Sequence, residues 1–114
     1  MIIKNSDAEI EEREDMRGGR GLVRIKKHIP KDEMQGKCRL CATLLIPPGS
    51  SIGEHEHDNE YEIYIIQKGE GILLLNGEEY NVGKGDAALT GGGASHSIKN
   101  TGNEEMEVTA VILT

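Results

Sequence analysis

Short apolar runs rich in β-branched residues follow one another along this chain, and turns built on glycine separate them. Fifteen of the 114 residues are glycine, which suits a fold with many tight turns. Asn76-Gly77 is a strong signal for a two-residue hairpin between two such runs. A chain this short must close or cover the edges of its sheets. The pattern therefore predicts an all-β sandwich or barrel, and a jelly roll meets that need.

Predicted strands fill most of the chain after Gly21. They cover residues 22–29, 37–46, 63–67, 71–75, 79–82, 87–89, 95–99 and 105–113. Residues 1–21 are predicted to be irregular, although Ser6 followed by Glu9 indicates the start of a short helix with Ser6 as its N-cap. We expect a single domain spanning residues 1–114, because this length suits one hydrophobic core.

Charge and hydropathy argue against two classes of partner. The chain has 13 basic and 20 acidic residues, a net charge of −7, and no basic face interleaved with aromatic residues, so we do not expect a nucleic acid partner. The apolar runs are too short to span a bilayer, so we expect no membrane partner. No basic segment followed by a long apolar stretch begins the chain, which predicts a cytoplasmic location.

Cys38 and Cys41 form a CxxC pattern, which occurs in redox and zinc sites. The segment is predicted to be a strand, and residues three apart on a strand point to opposite faces. The two thiols would then be poorly placed for a disulfide or a shared metal. We therefore favour two half-buried side chains without redox or metal chemistry.

Three of the four histidines and one glutamate are candidates for a metal site. On a strand, His55 and His57 lie on one face about 6–7 Å apart, so that both rings can approach one ion. Glu62 on the next strand can supply a carboxylate oxygen, and His96 follows a glycine-rich bend. Three nitrogens and one oxygen suit Mn, Fe, Co, Ni, Cu or Zn and leave two positions open on an octahedral ion. We treat His28 as structural or exposed.

Two longer patterns contain these four residues. Residues 49–69 read Gly-x5-His-x-His-x4-Glu-x6-Gly, and residues 85–100 read Gly-x5-Gly-x-Gly-x2-His-x3-Asn. The first pattern resembles the first motif of the cupin family at every fixed position. The second resembles the second cupin motif, except that the family usually has Pro where this chain has Gly91. The spacing between the two motifs fits the compact microbial members of the family.

The resemblance implies a fold, a metal and an assembly. The fold is a double-stranded β-helix, the jelly-roll barrel of cupins, and such proteins are often homodimers. The implied cofactor is one divalent transition-metal ion held by four ligands: His55, His57, Glu62 and His96.

Two departures from family patterns concern function. Oxalate decarboxylases of this family usually have two barrels and carry Arg three residues before the first motif histidine, where this chain has Ile52. Cupin-type mannose-6-phosphate isomerases carry Arg between the histidine pair and the glutamate, where residues 58–61 of this chain contain none. The chain therefore lacks the arginine that each of these two patterns carries, and this absence argues against both activities.

Further residues are candidates for contacts with a small-molecule ligand. Tyr64 shares a strand face with Glu62 and could line the cavity. Arg39 could reach into the barrel toward a carboxylate or phosphate, or it could face outward. Residues 17–21 could hold an anion or contact a neighbouring subunit, although we favour a flexible surface turn. A carboxylate beside the metal could act as a general base, but the sequence does not identify it.

These observations favour a metal-dependent enzyme that acts on a small organic acid, keto compound or sugar derivative, as a decarboxylase, dioxygenase or isomerase. The alternative is a non-catalytic cupin that binds a small metabolite or sugar. Resemblance in fold does not separate the two. A cupin transcription regulator is disfavoured, because no residues remain for a DNA-binding helix pair.

Overall fold

The computed structural model describes residues 1–114 as ten β-strands joined by turns. The strands are β1 (Glu9–Glu14), β2 (Leu22–Lys27), β3 (Cys38–Ile46), β4 (Ser51–Glu56), β5 (Tyr61–Lys68), β6 (Glu70–Leu75), β7 (Glu78–Gly83), β8 (Ala87–Gly91), β9 (Ser95–Asn100) and β10 (Met106–Leu113). Three short 3-10 helices, Asn5–Asp7, Met16–Gly18 and Lys31–Met34, lie between or before them. No helix is long and apolar enough to cross a membrane.

The strands form two antiparallel sheets. The six-stranded sheet has the order β1-β2-β3-β10-β5-β8, and the four-stranded sheet has the order β4-β9-β6-β7. Neighbours in each sheet come from distant parts of the chain, as in β3–β10 and β4–β9. The all-β jelly-roll fold predicted from the sequence is confirmed.

The hydrophobic core is built by alternate residues of these strands. Met106, Val108, Ala110 and Ile112 of β10 are buried, while the residues between them are half-buried on the opposite face. Each fully buried aliphatic side chain of this kind contributes roughly 1.5–3 kcal/mol. The core cluster consists of Val23, Ile25, Ala42, Leu44, Ile46, Ile52, Tyr64, Ile66, Leu73, Ile98, Met106, Val108 and Ala110.

The predicted hairpin at Asn76-Gly77 is present between β6 and β7. Both residues have positive φ, 48° and 82°, which a type I′ turn requires at its two central positions. Leu75 pairs with Glu78 directly across the turn. The turn therefore fixes the register between β6 and β7. β6 also pairs with β9, and this pairing places His96 opposite Leu75.

The N-terminal segment differs from the prediction, because it contains a strand. The helix predicted from Ser6 is wrong: a 3-10 turn at Asn5–Asp7 makes no side-chain cap, and residues 9–14 form β1. β1 pairs with β2 from Glu9 opposite Lys27 to Glu14 opposite Leu22. The hydrogen bonds between β1 and β2, together with the ion pairs of Lys27 with Glu9 and Glu11, stabilise the strand more than an N-cap at Ser6 would stabilise a helix.

Candidate metal centre

Four polar side chains meet between the two sheets. We name them the His₃Glu cluster: His55, His57, Glu62 and His96. Their ligand atoms all lie within 4.8 Å of one another. His55 lies on β4, His57 directly follows β4, Glu62 lies on β5 and His96 lies on β9. The structure thus brings together the four residues that the sequence predicted, from three strands of two sheets.

A β-bulge in β4 orients His55. Ile52 pairs with Ile98, and the next pair in the ladder is His55 with His96, so three residues of β4 match two of β9. The extra residue reverses the alternation of inward and outward side chains. Ile52 therefore packs in the core, and His55 and His57 also face inward while Glu54 and Glu56 are exposed.

The reactive atoms of the cluster face one another at hydrogen-bond distances. His96 Nε2 lies 3.0 Å from His57 Nε2 and 3.1 Å from His55 Nε2. Glu62 Oε1 lies 2.9 Å from His57 Nε2 and 3.1 Å from His96 Nε2. Glu62, His57 and His96 are at most 4% exposed, so water does not surround these atoms.

The second nitrogen of two rings is held by an acceptor. His55 Nδ1 donates to the carbonyl oxygen of Gly53 at 2.7 Å, and His57 Nδ1 donates to Glu60 Oε1 at 2.7 Å. In its neutral form, a ring held in this way has a lone pair on Nε2, which is directed into the cluster. A metal-binding histidine is commonly fixed in this way by a hydrogen bond at its other nitrogen.

Hydrogen bonds within the cluster cannot satisfy all its acceptors. His96 Nε2 can donate one proton, whereas His55 Nε2, His57 Nε2 and Glu62 Oε1 all face it as acceptors. His96 Nδ1 is buried and has no partner. One cation among the four atoms would satisfy them together, and imidazole nitrogen with carboxylate oxygen is a donor set that divalent transition metals accept. The cluster is compatible with a single metal ion.

Burial keeps His55 neutral. It lowers the pKa of His55 to about 4, and the nearby rings of His96 and His57 and the charge of Arg17 act in the same direction. A neutral imidazole is the form that binds a metal. At neutral pH the ring of His55 is therefore ready to accept a cation without first losing a proton.

Glu60 is the partner that orients His57, and Arg39 holds Glu60. Arg39 Nε and Nη2 donate to the two oxygens of Glu60 at 2.6 and 2.7 Å, a bidentate ion pair. This pair, with the hydrogen bond from His57, lowers the pKa of Glu60 to about 2. Glu60 therefore stays ionised and fully used as an acceptor, which makes it unsuited to act as a general base.

A second β-bulge turns Arg39 toward the site. Leu40 pairs with Ile112 and Cys38 with Leu113, so Arg39 is the extra residue of β3. The sequence left open whether Arg39 faces inward or outward. In the structure it lines the cavity beside His57, although two of its nitrogens are committed to Glu60.

Tyr64 forms part of the wall of the cluster. Its ring is stacked on that of His96, with centroids 4.8 Å apart and an angle of 19° between the planes. Burial and the nearby charge of Glu62 raise the pKa of the Tyr64 hydroxyl well above its usual value. Tyr64 thus lines the cavity, as the strand alternation predicted, and it stays protonated at physiological pH.

The His₃Glu cluster opens onto a cavity of about 420 Å³. Ile25, Leu40, Leu44 and Ile112 supply apolar parts of its wall. Five cationic side chains also line it: Arg13, Arg17, Lys27, Lys31 and Arg39. Four carboxylates line it as well: Glu9, Glu11, Asp32 and Glu62. The volume and the mixed lining suit a small polar ligand, and only the cations without a carboxylate partner are available to an anion.

The segment that carries Arg17 is not a flexible turn, contrary to the interpretation that we favoured from the sequence. Arg20 N donates to the carbonyl oxygen of Ser51 at 3.2 Å, and Ser51 N donates back to that of Arg20 at 2.8 Å. Gly19 and Gly53 pack so closely that a Cβ on either would overlap with backbone atoms of the other segment. The segment is fixed against β4, beside the bulge that orients His55.

Gly91 is required by its neighbour. A Cβ at this position would overlap with the ring of Tyr61, which pairs with Gly91 across β5 and β8. Glycine therefore stands where the second motif usually has proline, because the ring of Tyr61 occupies the space that a side chain at position 91 would need. His96 lies in the cluster nonetheless, as expected.

The remaining candidates lie apart from the cluster. Cys38 and Cys41 are half-buried and free. His28 Nε2 is 2.7 Å from the hydroxyl oxygen of Thr43, consistent with a structural role. The sequence left open whether Glu60, which lies three residues after His57 and two before Glu62, faces the site, and it did not predict that Glu60 orients His57.

Comparisons with known proteins agree on one family. The sequence model of the family described as "Cupin domain" matches residues 42–112. An "oxalate-binding protein" of Thermotoga maritima is 43% identical over 113 residues, which are 99% of this chain and 93% of that protein. An uncharacterized protein of Methanocaldococcus jannaschii is 30% identical over 75% of this chain and 77% of its own length.

A solved structure shares the fold throughout. The crystal structure of a protein from Thermotoga maritima, described as a predicted oxalate decarboxylase, has a TM-score of 0.94 and 43% sequence identity. The match covers 99% of this chain and 98% of that one.

Proposed function

Because the chain belongs to the cupin family, we propose that it binds one divalent transition-metal ion at the His₃Glu cluster and a small carboxylate of the oxalate class on that ion. The observation that carries the proposal is the position of the cluster, of which His55, His57 and Glu62 line a cavity that also contains unpaired cationic side chains. A metal at this place would supply a Lewis acid with free positions for carboxylate oxygens.

The electrostatics of the cavity support an anionic ligand. Arg17 and Arg39 line the same cavity as His55 and His57. Guanidinium groups bind carboxylates through paired, charge-assisted hydrogen bonds, and Arg17 makes no such pair within the protein. The name of the 43% identical relative, oxalate-binding protein, agrees with this class of ligand.

Binding is favoured over acid–base catalysis by the state of Glu60, the carboxylate that holds His57. Glu60 accepts hydrogen bonds from His57 and Arg39, and the ion pair with Arg39 lowers its pKa to about 2. General acid–base catalysis works best with a pKa near the operating pH. The second candidate function is metal-dependent decarboxylation of the same ligand, which the description of the Thermotoga structure suggests.

Calorimetry on metal-loaded protein tests the proposal. Chelator-treated protein is reloaded in turn with Mn²⁺, Co²⁺, Ni²⁺ and Zn²⁺ and titrated with oxalate and with chloride as the control anion. We expect oxalate to bind only to metal-loaded protein, and His57→Ala to abolish both metal and oxalate binding. His28→Ala is the matched control, because His28 lies outside the cluster.

The outcomes separate the candidate functions. Oxalate binding without formation of formate or carbon dioxide supports a binding protein. Metal-dependent release of those products would replace binding with decarboxylation. Failure of every metal-loaded form to bind oxalate would contradict both candidates.

A further inference from the structure

We propose that Arg17 binds the second carboxylate of the metal-bound ligand and thereby selects dicarboxylates over monocarboxylates. This inference rests on the proposed function and specifies the ligand class. In a short dicarboxylate, one carboxylate would lie on the metal and the other would face the guanidinium of Arg17, which lines the same cavity as His55.

Arg17 is available for a ligand, unlike most cations of the cavity. Lys27 is paired with Glu9 and Glu11, Arg13 is paired with Glu11, and Arg39 is paired with Glu60. Arg17 makes no ion pair or side-chain hydrogen bond, so its five N–H donors are free. Lys31 is also unpaired and, like Arg17, exposed, but it belongs to the separate 3-10 helix Lys31–Met34, whereas the segment of Arg17 packs against Gly53 beside His55.

Arg17 lies on the cavity that the metal site also borders. His55 of the cluster and Tyr64, which come from different sheets, line this cavity together with Arg17. A carboxylate held between the cluster and Arg17 would therefore be attracted from both sides.

The backbone holds Arg17 in an uncommon conformation. Asp15 and Arg17 have positive φ, 47° and 57°, a region that non-glycine residues rarely adopt. Such strain persists where surrounding contacts enforce it, and it often marks a functional site. Here the contacts are the close packing of Gly19 on Gly53 and the hydrogen bond from Gly21 N to Asp15 Oδ1 at 3.1 Å.

The support of Arg17 is the same strand that supports the metal site. Gly53 packs against the carbonyl oxygen of Arg17, and its own carbonyl oxygen accepts the hydrogen bond from His55 Nδ1. One residue thus fixes both the arginine and the ring. This arrangement preorganises the second carboxylate site relative to the first, which reduces the entropy lost on binding.

The test compares a dicarboxylate with a monocarboxylate. Mn²⁺-loaded protein is titrated with oxalate and with acetate, and the metal content of each variant is measured. We expect Arg17→Gln to weaken oxalate binding about 10- to 100-fold and acetate binding by less than about threefold, because only the dicarboxylate reaches Arg17. Arg17→Lys should restore part of the affinity, because it keeps the charge but loses the planar fork.

Two variants serve as matched controls. Arg20→Gln removes the same type of charge from the same segment, and Lys31→Gln removes the other unpaired cation of the cavity. Each should change oxalate affinity by less than about threefold, because neither side chain contacts the ligand in the proposed arrangement and salt screens such indirect charges.

Several results would overturn the inference. They are an Arg17→Gln variant that binds oxalate like the wild type, an equal loss for oxalate and acetate, an equal loss in Lys31→Gln, or loss of the metal from Arg17→Gln. In each of these cases oxalate binding by the wild type still supports the proposed function. A metal-loaded wild type that does not bind oxalate overturns the proposed function and this inference together.

Discussion

At the residue scale, Glu60 decides how His57 faces the cluster. The carboxylate accepts the proton of His57 Nδ1 and is itself clamped by Arg39. With Nδ1 occupied as a donor, His57 can present only the lone pair of Nε2 to a metal. A residue that does not belong to the cluster thus fixes both the tautomer and the orientation of one of its rings.

Removal of the Glu60 charge should weaken metal binding. We expect Glu60→Gln to lower metal affinity about 10- to 100-fold, because the neutral amide loses the ion pair with Arg39 and holds His57 less firmly. Competition with a metal-sensitive fluorescent chelator measures the affinity. Glu56→Gln is the control, since Glu56 is exposed at the end of β4. Equal affinities of the two variants would show that Glu60 does not position His57.

At the element scale, two β-bulges build the site. The bulge in β4 brings His55 to the face that Ile52 occupies, and the bulge in β3 turns Arg39 toward Glu60. Neither strand could bring these side chains to the cavity with regular alternation. The close packing of Gly19 on Gly53 then adds the segment of Arg17 to the same strand.

A methyl group at Gly53 should damage this arrangement. We expect Gly53→Ala to destabilise the protein by about 1–3 kcal/mol, because the Cβ would overlap with backbone atoms that cannot move freely. Thermal or denaturant unfolding measures the change. Gly83→Ala is the control, since a Cβ there has only one neighbour within 4 Å, at 4.0 Å. Equal stabilities of the two variants would contradict the proposed packing.

Sequence patterns predicted the elements better than their irregularities. The Asn76-Gly77 hairpin, most strands and the spacing of the His₃Glu cluster follow from local turn chemistry and fixed motif positions. The bulges depend on how a strand matches its distant partner, which no local pattern contains. β1 was missed for a related reason: Glu9–Glu14 carries many charges, and only pairing with β2 makes it a strand.

At the scale of the whole molecule, an acidic chain surrounds a cavity that is lined by both cations and carboxylates. The net charge is −7, yet five cationic side chains line the cavity onto which the cluster opens. Three of these cations are neutralised in part by neighbouring carboxylates, which leaves a local rather than a general attraction for anions. Homodimer formation and a cytoplasmic location stay predictions from the sequence.

The buried ring of His55 should make the metal-free protein sensitive to mild acid. Its pKa is about 4 in the fold and 6.5 in the unfolded chain, so the unfolded state binds the proton first as the pH falls. The stability that His55 contributes is fully present above pH 6.5 and is lost as the pH falls to about 4. Because the ring of His55 is only half-buried, solvent screening limits this loss to about 1–2 kcal/mol.

Unfolding at a series of pH values measures this effect. Wild-type protein with chelator should lose stability from pH 6.5 to pH 4 more steeply than His55→Gln, which has no titrating ring. Parallel curves for the two proteins would contradict a low pKa for His55.

The most direct test of the metal site is anomalous diffraction from crystals grown with Mn²⁺ or Co²⁺. The account predicts one strong peak per chain, about 2.0–2.3 Å from the three Nε2 atoms of His55, His57 and His96 and from a carboxylate oxygen of Glu62. The same crystals of His57→Ala should lack the peak. A cluster without a peak in the wild type, or with the metal bound elsewhere, would contradict the assignment of these four residues as metal ligands.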